Sequence, residues 1–218
     1  MRLLLVAFFS LFLFGCATKN EMAIDQSTKV IDLKEKSIVL LRIKTTNEYK
    51  PDSKLNNYSF HVEQNERDGK AGKQYFVVNN QLNKDGYEFI SMALVPGKHE
   101  LSKVLTTVNR VLIRGMGFMP LNFEIDVKPN TVSYLGNLSS KIRERVGEEF
   151  RAGAVIPLVD QAVSGYSGGT WDVVNTDQFD QDIALFREAF PVLKQVDIKN
   201  QYVGPWDRAK AQTWWEKN

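Results

Sequence analysis

Few side chains in this sequence are spaced to do chemistry. Gly165-Tyr166-Ser167-Gly168-Gly169 fits the G-x-S-x-G pattern. In a nucleophile elbow that serine sits on a sharp strand-to-helix turn and needs an acid and then a histidine later in the chain. Here Thr170-Trp171-Asp172-Val173-Val174 follows and reads as a strand, and both histidines, His61 and His99, lie upstream. A glycine-rich hairpin loop is therefore expected, with a hydrolase built on Ser167 as the rival. The same glycines lack the Gly-Lys-Ser/Thr ending of a phosphate loop. Two histidines outside any His/Cys cluster predict no metal site. Asp177, Asp180 and Asp182 lack the spacing and glycine of a calcium loop. They suit a helix start, with Asp177 as cap and the other two complementing the dipole. Glu148 and Glu149 are consecutive, so on a strand they point to opposite faces and make a poor acid–base pair. Lys141, Arg143, Arg145 and Arg151 are diluted by Glu144, Glu148 and Glu149 and read as a solvated face. No catalytic residue, metal or dissociable cofactor is expected. The candidate contacts are aromatic: Trp206, Trp214 and Trp215. Neighbours on a helix are about 100° apart, so Trp214 and Trp215 cannot both face one core. Either one of them is exposed and touches a partner or a glycan, or both are partly buried against the sandwich.

Composition narrows the classes further. The chain has 218 residues, 43% apolar and 25% charged, which is globular composition. Lys plus Arg is 28 against 26 for Asp plus Glu, a net charge of +2. That surplus is too small for a dedicated nucleic-acid binder or a polybasic membrane-surface protein. The single cysteine excludes an internal disulfide and a multi-cysteine metal site.

The elements that must position these residues are mostly strands. From Ser37 the period is two. Val39, Leu41 and Ile43 alternate with Arg42 and Lys44, and Tyr58, Phe60 and Val62 alternate with Ser59, His61 and Glu63. Leu121, Phe123, Ile125 and Val127 alternate with Asn122, Glu124, Asp126 and Lys128, and Val132, Tyr134 and Leu138 follow the Pro129-Asn130 turn. One buried and one wet face per strand is antiparallel behaviour. Further strands are expected over Gln74–Asn79, Tyr87–Val95, His99–Thr106, Arg110–Arg114 and Ala154–Val163, with Trp171–Val174 pairing with the last. Lys141–Arg151 reads as an exposed strand pair or loop. Asp68-Gly69, Asp85-Gly86 and Pro96-Gly97 supply turns. The spacing predicts a mainly β fold, an antiparallel β-sandwich with one or two C-terminal α-helices. The first helix, Asp177–Phe190, carries Phe179, Ile183, Phe186 and Phe190 as one stripe and stops at Pro191. The second starts after Gly204-Pro205.

The first residues carry a different signal. Arg2 precedes an apolar run from Leu3 to Phe14, broken only by Ser10. As a helix it spans about 18 Å, too short for a hydrocarbon core of about 30 Å, and it reads as a secretory leader. The run ends in Leu13-Phe14-Gly15-Cys16, which resembles the lipobox of bacterial lipoproteins. The resemblance implies diacylglyceryl attachment to Cys16, cleavage between Gly15 and Cys16, and acylation of the new amine. Several acyl chains anchor stably, and Cys16 is the only cysteine in the chain. Ala17, rather than Asp, after the cysteine implies sorting to the outer membrane, facing the periplasm.

The expected organisation is a signal peptide over residues 1–15 and a lipidated flexible tether over 16–36, reaching about 25 Å. A sandwich follows over 37–176, and a helical segment over 177–218 is packed on it or projecting from it. Leu94-Val95-Pro96-Gly97-Lys98-His99-Glu100-Leu101, Phe123-Glu124-Ile125-Asp126-Val127-Lys128-Pro129-Asn130 and Tyr134-Leu135-Gly136 are similar to bacterial lipoproteins with a transthyretin-like or carboxypeptidase-regulatory-like sandwich. That resemblance implies a fold and no catalytic residues. The functional expectation is a lipid-anchored envelope protein that binds or scaffolds. Its partners would be the membrane, through the lipid, and an envelope protein or the cell wall, with no nucleic acid. A glycan- or peptidoglycan-binding lipoprotein is the alternative, and an envelope hydrolase a further one.

Overall fold

The computed structural model of the chain describes residues 18–67, 70–78, 85–109, 114–155 and 164–217. The segment Leu13-Phe14-Gly15-Cys16 that resembles a lipobox, the turn expected at Asp68-Gly69, the start of the strand expected at Arg110 and most of the one expected over Ala154–Val163 lie outside them.

The alternating segments form strands β1 (Thr18–Glu21), β2 (Ser37–Asn47), β3 (Asn56–Arg67), β4 (Lys70–Val77), β5 (Glu88–Leu94), β6 (Gly97–Asn109), β7 (Arg114–Val127), β8 (Val132–Glu144), β9 (Gly169–Thr176) and β10 (Ile198–Asn200). Two helices follow the main strands, α1 (Phe179–Ala189) and α2 (Arg208–Lys217). The result is the mainly β sandwich with C-terminal helices that the alternation implies. Sheet A has the order β1-β4-β3-β6-β7, and sheet B the order β10-β8-β2-β5. β9 shares the free edge of β8 with β10, pairing with Asn137–Glu144 while β10 takes Val132–Tyr134. The segment expected to pair with it, from Ala154 on, lies outside the described residues after 155. Three pairings are parallel rather than antiparallel: β1–β4, β10–β8 and β2–β8.

The inner faces meet in one core. Val39, Leu41 and Ile43 of β2 pack with Phe60 and Val62 of β3, Ile90, Met92 and Leu94 of β5, and Phe123, Ile125 and Val127 of β7. A second core lies on the other side of sheet B. There Ile38 and Leu40 of β2 and Val132 and Tyr134 of β8 meet Ile183, Phe186 and Phe190 of the α1 stripe. β2 is thus buried on both faces, and the face carrying Arg42 is not wet.

A bulge in β8 sets which residues face which core. Leu40 pairs with Tyr134 and Leu41 with Gly136, so Leu135 is an extra residue. An extra residue inverts the side-chain phase. Val132 and Tyr134 face α1, whereas Leu135, Leu138 and Ile142 face the sandwich interior. The single face expected for Val132, Tyr134 and Leu138 is therefore split. Gly136 has φ of +146°, and a Cβ there would lie 2.2 Å from Asn175 Oδ1. Gly136→Ala is expected to cost about 1–3 kcal/mol in a urea titration, through overpacking and backbone strain together.

The segment expected as a tether is built into the body where it is described. Thr18–Glu21 pairs in register with Gln74–Val77 and satisfies backbone groups that an uncovered sheet edge leaves unpaired. The chain then crosses to sheet B. Ala23 N donates to Ser91 O (2.8 Å), Ile24 N donates to Ser91 Oγ (2.9 Å), and Ile24 is buried. Among the described residues no helix is long and apolar enough to cross a membrane.

Candidate functional site

The sequence candidates are dispersed. Ser167 lies in the turn that leads into β9, where its carbonyl accepts from Arg151 Nη1 (2.5 Å). The turn feeds a strand, so the strand-to-helix context of an elbow is missing. His61 and His99 sit on opposite faces of sheet A. His61 pairs with Ser59 Oγ (3.1 Å), and His99 Nε2 with Val95 O (2.8 Å). Burial first, then the nearby Lys103, pushes the His61 imidazole down to about 4. Burial also lowers His99. Among the described residues no group of three or more His, Cys, Asp or Glu is arranged to hold a metal.

Glu148 and Glu149 lie in the turn after β8, not on a strand. Glu149 takes Arg143 Nη1 (2.7 Å), Arg143 Nη2 (2.5 Å) and Arg208 Nη2 (3.0 Å). The Arg143 hydrogen bonds hold its carboxyl down to about 2. Arg143 and Arg208 also share Asp172. Lys141 pairs with Glu48, and Arg145 with Glu148. Lys141, Arg143 and Arg145 are thus held in ion pairs, and the carboxylates that Arg143 shares with Arg208 close β8, β9 and α2 together.

Asp177 is not the cap of α1. Gln178 precedes the helix without a side-chain cap. Asp177 Oδ1 accepts from Phe179 N (3.2 Å), and its Oδ2 accepts from Asn200 Nδ2 (2.9 Å). Asp182 does more than complement a dipole. It is fully buried and accepts from Arg42 Nη1 (2.5 Å), Tyr134 Oη (2.6 Å) and Asn137 Nδ2 (2.9 Å). Tyr134 and Asn137 are three apart, so a regular strand would point them to opposite faces. The Leu135 bulge brings both to one carboxylate. The Arg42 guanidinium also lies over Tyr87, 4.4 Å from the ring centroid. Burial, with the Asp182 hydrogen bond and charge, pushes the Tyr134 hydroxyl far above its ordinary value. This cluster fixes α1 on sheet B and is closed to solvent. One signal in the sequence points to it. Asp182 falls on the apolar stripe, three residues after Phe179 and four before Phe186, and a carboxylate on a buried face demands a partner.

The accessible site is built by α2. Asp207 Oδ1 accepts from Ala209 N (2.8 Å) and Lys210 N (3.1 Å) and caps the helix. Arg208, Ala211 and Trp215 share its inner face. Arg208 Nη1 donates to Asp172 (2.7 Å) and to Trp171 O (2.7 Å), Ala211 is fully buried, and Trp215 packs on Phe150. Trp206, just before the helix, donates to Pro120 O (2.9 Å) and also packs on Phe150. Two of the three candidate tryptophans therefore close the open edge of the sandwich.

Lys210, Thr213, Trp214 and Lys217 share a different helical face. With Asp207 and with Glu100, Asn122 and Glu124 from the outer face of β6 and β7, they line a groove of about 550 Å³. Lys210 pairs with Glu124 (3.1 Å), and Asn122 Nδ2 donates to Glu100 (2.9 Å). Asn122 holds a left-handed backbone at φ of +54°. Lys103 Nζ lies 5.0 Å from the Trp214 ring centroid. The groove offers an indole, carboxylates, ammonium groups, an amide and a hydroxyl, with the two signs of charge nearly balanced.

Fold and site together define a two-sheet β-sandwich whose edge helix walls a polar, aromatic groove. No family model, no curated protein and no solved structure matches this chain.

Proposed function

We propose that this chain is a lipid-anchored protein of the bacterial cell envelope. It is cleaved before Cys16 and held in the outer membrane facing the periplasm, and it works by binding, with the α2 groove as its contact surface. The anchoring half rests on the resemblance of Leu13-Phe14-Gly15-Cys16 to a lipobox. The observation that carries the binding half is the groove beside Trp214. An indole next to paired hydrogen-bond donors and acceptors on rigid elements suits a polar ligand. Near-neutral charge favours a glycan strand of the cell wall over a polyanion.

The experiment is co-sedimentation of the purified chain with isolated cell wall. Wild type is expected to sediment, and Trp214→Ala to weaken the affinity by about tenfold, the loss of one aromatic contact. Equal sedimentation of the two proteins, or none for wild type, sinks the glycan assignment.

A further inference from the structure

The structure leaves almost no spacer between the proposed lipid and the folded body. Thr18 is already in register with Gln74 of β4, and Cys16 is only two residues before it. Two residues span at most about 7 Å, against about 25 Å for the tether that the composition suggested. β1 runs parallel to β4, so Thr18 is the residue of β1 nearest the end of the sandwich where β4 begins. The same end carries the Pro96-Gly97 turn into β6 and the turn from β7 into β8, since Gly97 pairs with Val127. Among the described residues its exposed charges include both signs: Lys73 pairs with Glu63 (3.9 Å), and Lys128 with Asp126. What draws this end to a surface is the short reach of the chain.

We propose that this end of the sandwich rests on the bilayer surface. The domain would be held in one orientation by lipid on Cys16, and would not swing on a tether. The proposal rests on the lipidation set out under the proposed function. β6 has 13 residues and is about 40 Å long, so the opposite end, with the loop between β2 and β3, stands well clear of the headgroups.

The natural chain has one cysteine, and acylation consumes its thiol, so a second cysteine is the only reactive one. The lipidated full-length protein is made with Lys98→Cys, at the anchored end, or Asp52→Cys, at the far end; both positions are exposed. Each is labelled with a fluorophore and reconstituted into phosphatidylcholine–phosphatidylethanolamine vesicles that carry a headgroup-attached quencher. Mass spectrometry of the same samples reads the lipid on Cys16. Quenching is expected to be several-fold stronger for Lys98→Cys than for Asp52→Cys. Inserting about 20 Gly/Ser residues before Thr18 is expected to bring the two toward parity by supplying the missing reach. Equal quenching without the insertion, on protein whose Cys16 carries lipid, overturns the orientation and leaves lipidation standing. An unmodified Cys16 overturns both.

Discussion

Asp182→Ala is expected to lower the unfolding free energy by about 3–5 kcal/mol, because it strands a buried cation. Arg42 and Asp182 side chains are 3% and 0% exposed, so water cannot take over when the carboxylate is removed. The aromatic faces of Tyr87 and Phe89 attract the guanidinium but cannot accept its hydrogen bonds in the plane. Tyr134 Oη and Asn137 Nδ2 lose the same acceptor, which adds two unsatisfied donors. Asp182→Asn is expected to fall between wild type and alanine, since it keeps an acceptor but not the charge. The double variant Arg42→Met/Asp182→Leu is expected to recover most of the loss, since apolar replacements of a buried pair are often neutral or better. The measurement is a urea titration of all four proteins. A loss below about 1 kcal/mol for Asp182→Ala, the range of an exposed pair, would show that the cluster does not clamp α1 to sheet B.

The same cluster shows why part of the fold was legible and part was not. The alternation in β2 and β7 and the stripe Phe179, Ile183, Phe186 and Phe190 are local periodicities, and the structure uses them as the pattern implies. Arg42 fits the alternation as a charged residue on a wet face should. Only the long-range docking of α1 makes that face dry. The Leu135 bulge is likewise non-local: it appears in the register with β2, and nothing in Tyr134-Leu135-Gly136 announces it beyond a glycine. β1 (Thr18–Glu21) is polar and exposed on nearly every residue, so an edge strand there has no hydrophobic period to betray it. For the groove, the 100° argument separates Trp215, which packs on Phe150, from Trp214. It could not say that β6 and β7 would supply the opposite wall, because Glu100 and Glu124 look like any outward-facing carboxylate.

Glu88 gives the second large effect, a stability that falls as pH rises through neutrality. Its side chain closes the end of the inner face of β5 and is 4% exposed. Asn57 Nδ2 from the opposing sheet donates to its carboxylate, and Thr45 Oγ1 donates to Asn57 Oδ1 (3.0 Å). Burial pushes the carboxyl up to about 7, with the Asn57 hydrogen bond partly opposing it. The folded state therefore holds a proton that the unfolded chain releases near 4.5. The stability from this group is fully present below about pH 4.5 and is lost as pH rises through about 7, a total of about 3 kcal/mol. His61 and His99 run the other way. Their folded pKa values are depressed, so they add stability as pH rises toward their ordinary value of 6.5 and nothing further above it. The Glu88 slope is thus opposed below about pH 6.5 and stands alone only from there to its end just above 7, where about 1 kcal/mol of the total is still to be lost. Glu88→Gln keeps an oxygen to accept from Asn57 and removes the charge. It is expected to abolish that slope and to exceed wild-type stability at pH 8, as read from thermal unfolding at several pH values. A wild-type midpoint that stays flat or rises from pH 6.5 to 8 would mean that Glu88 is ionised in the fold at no cost, and that the inter-sheet contact with Asn57 is that of an ordinary solvated carboxylate.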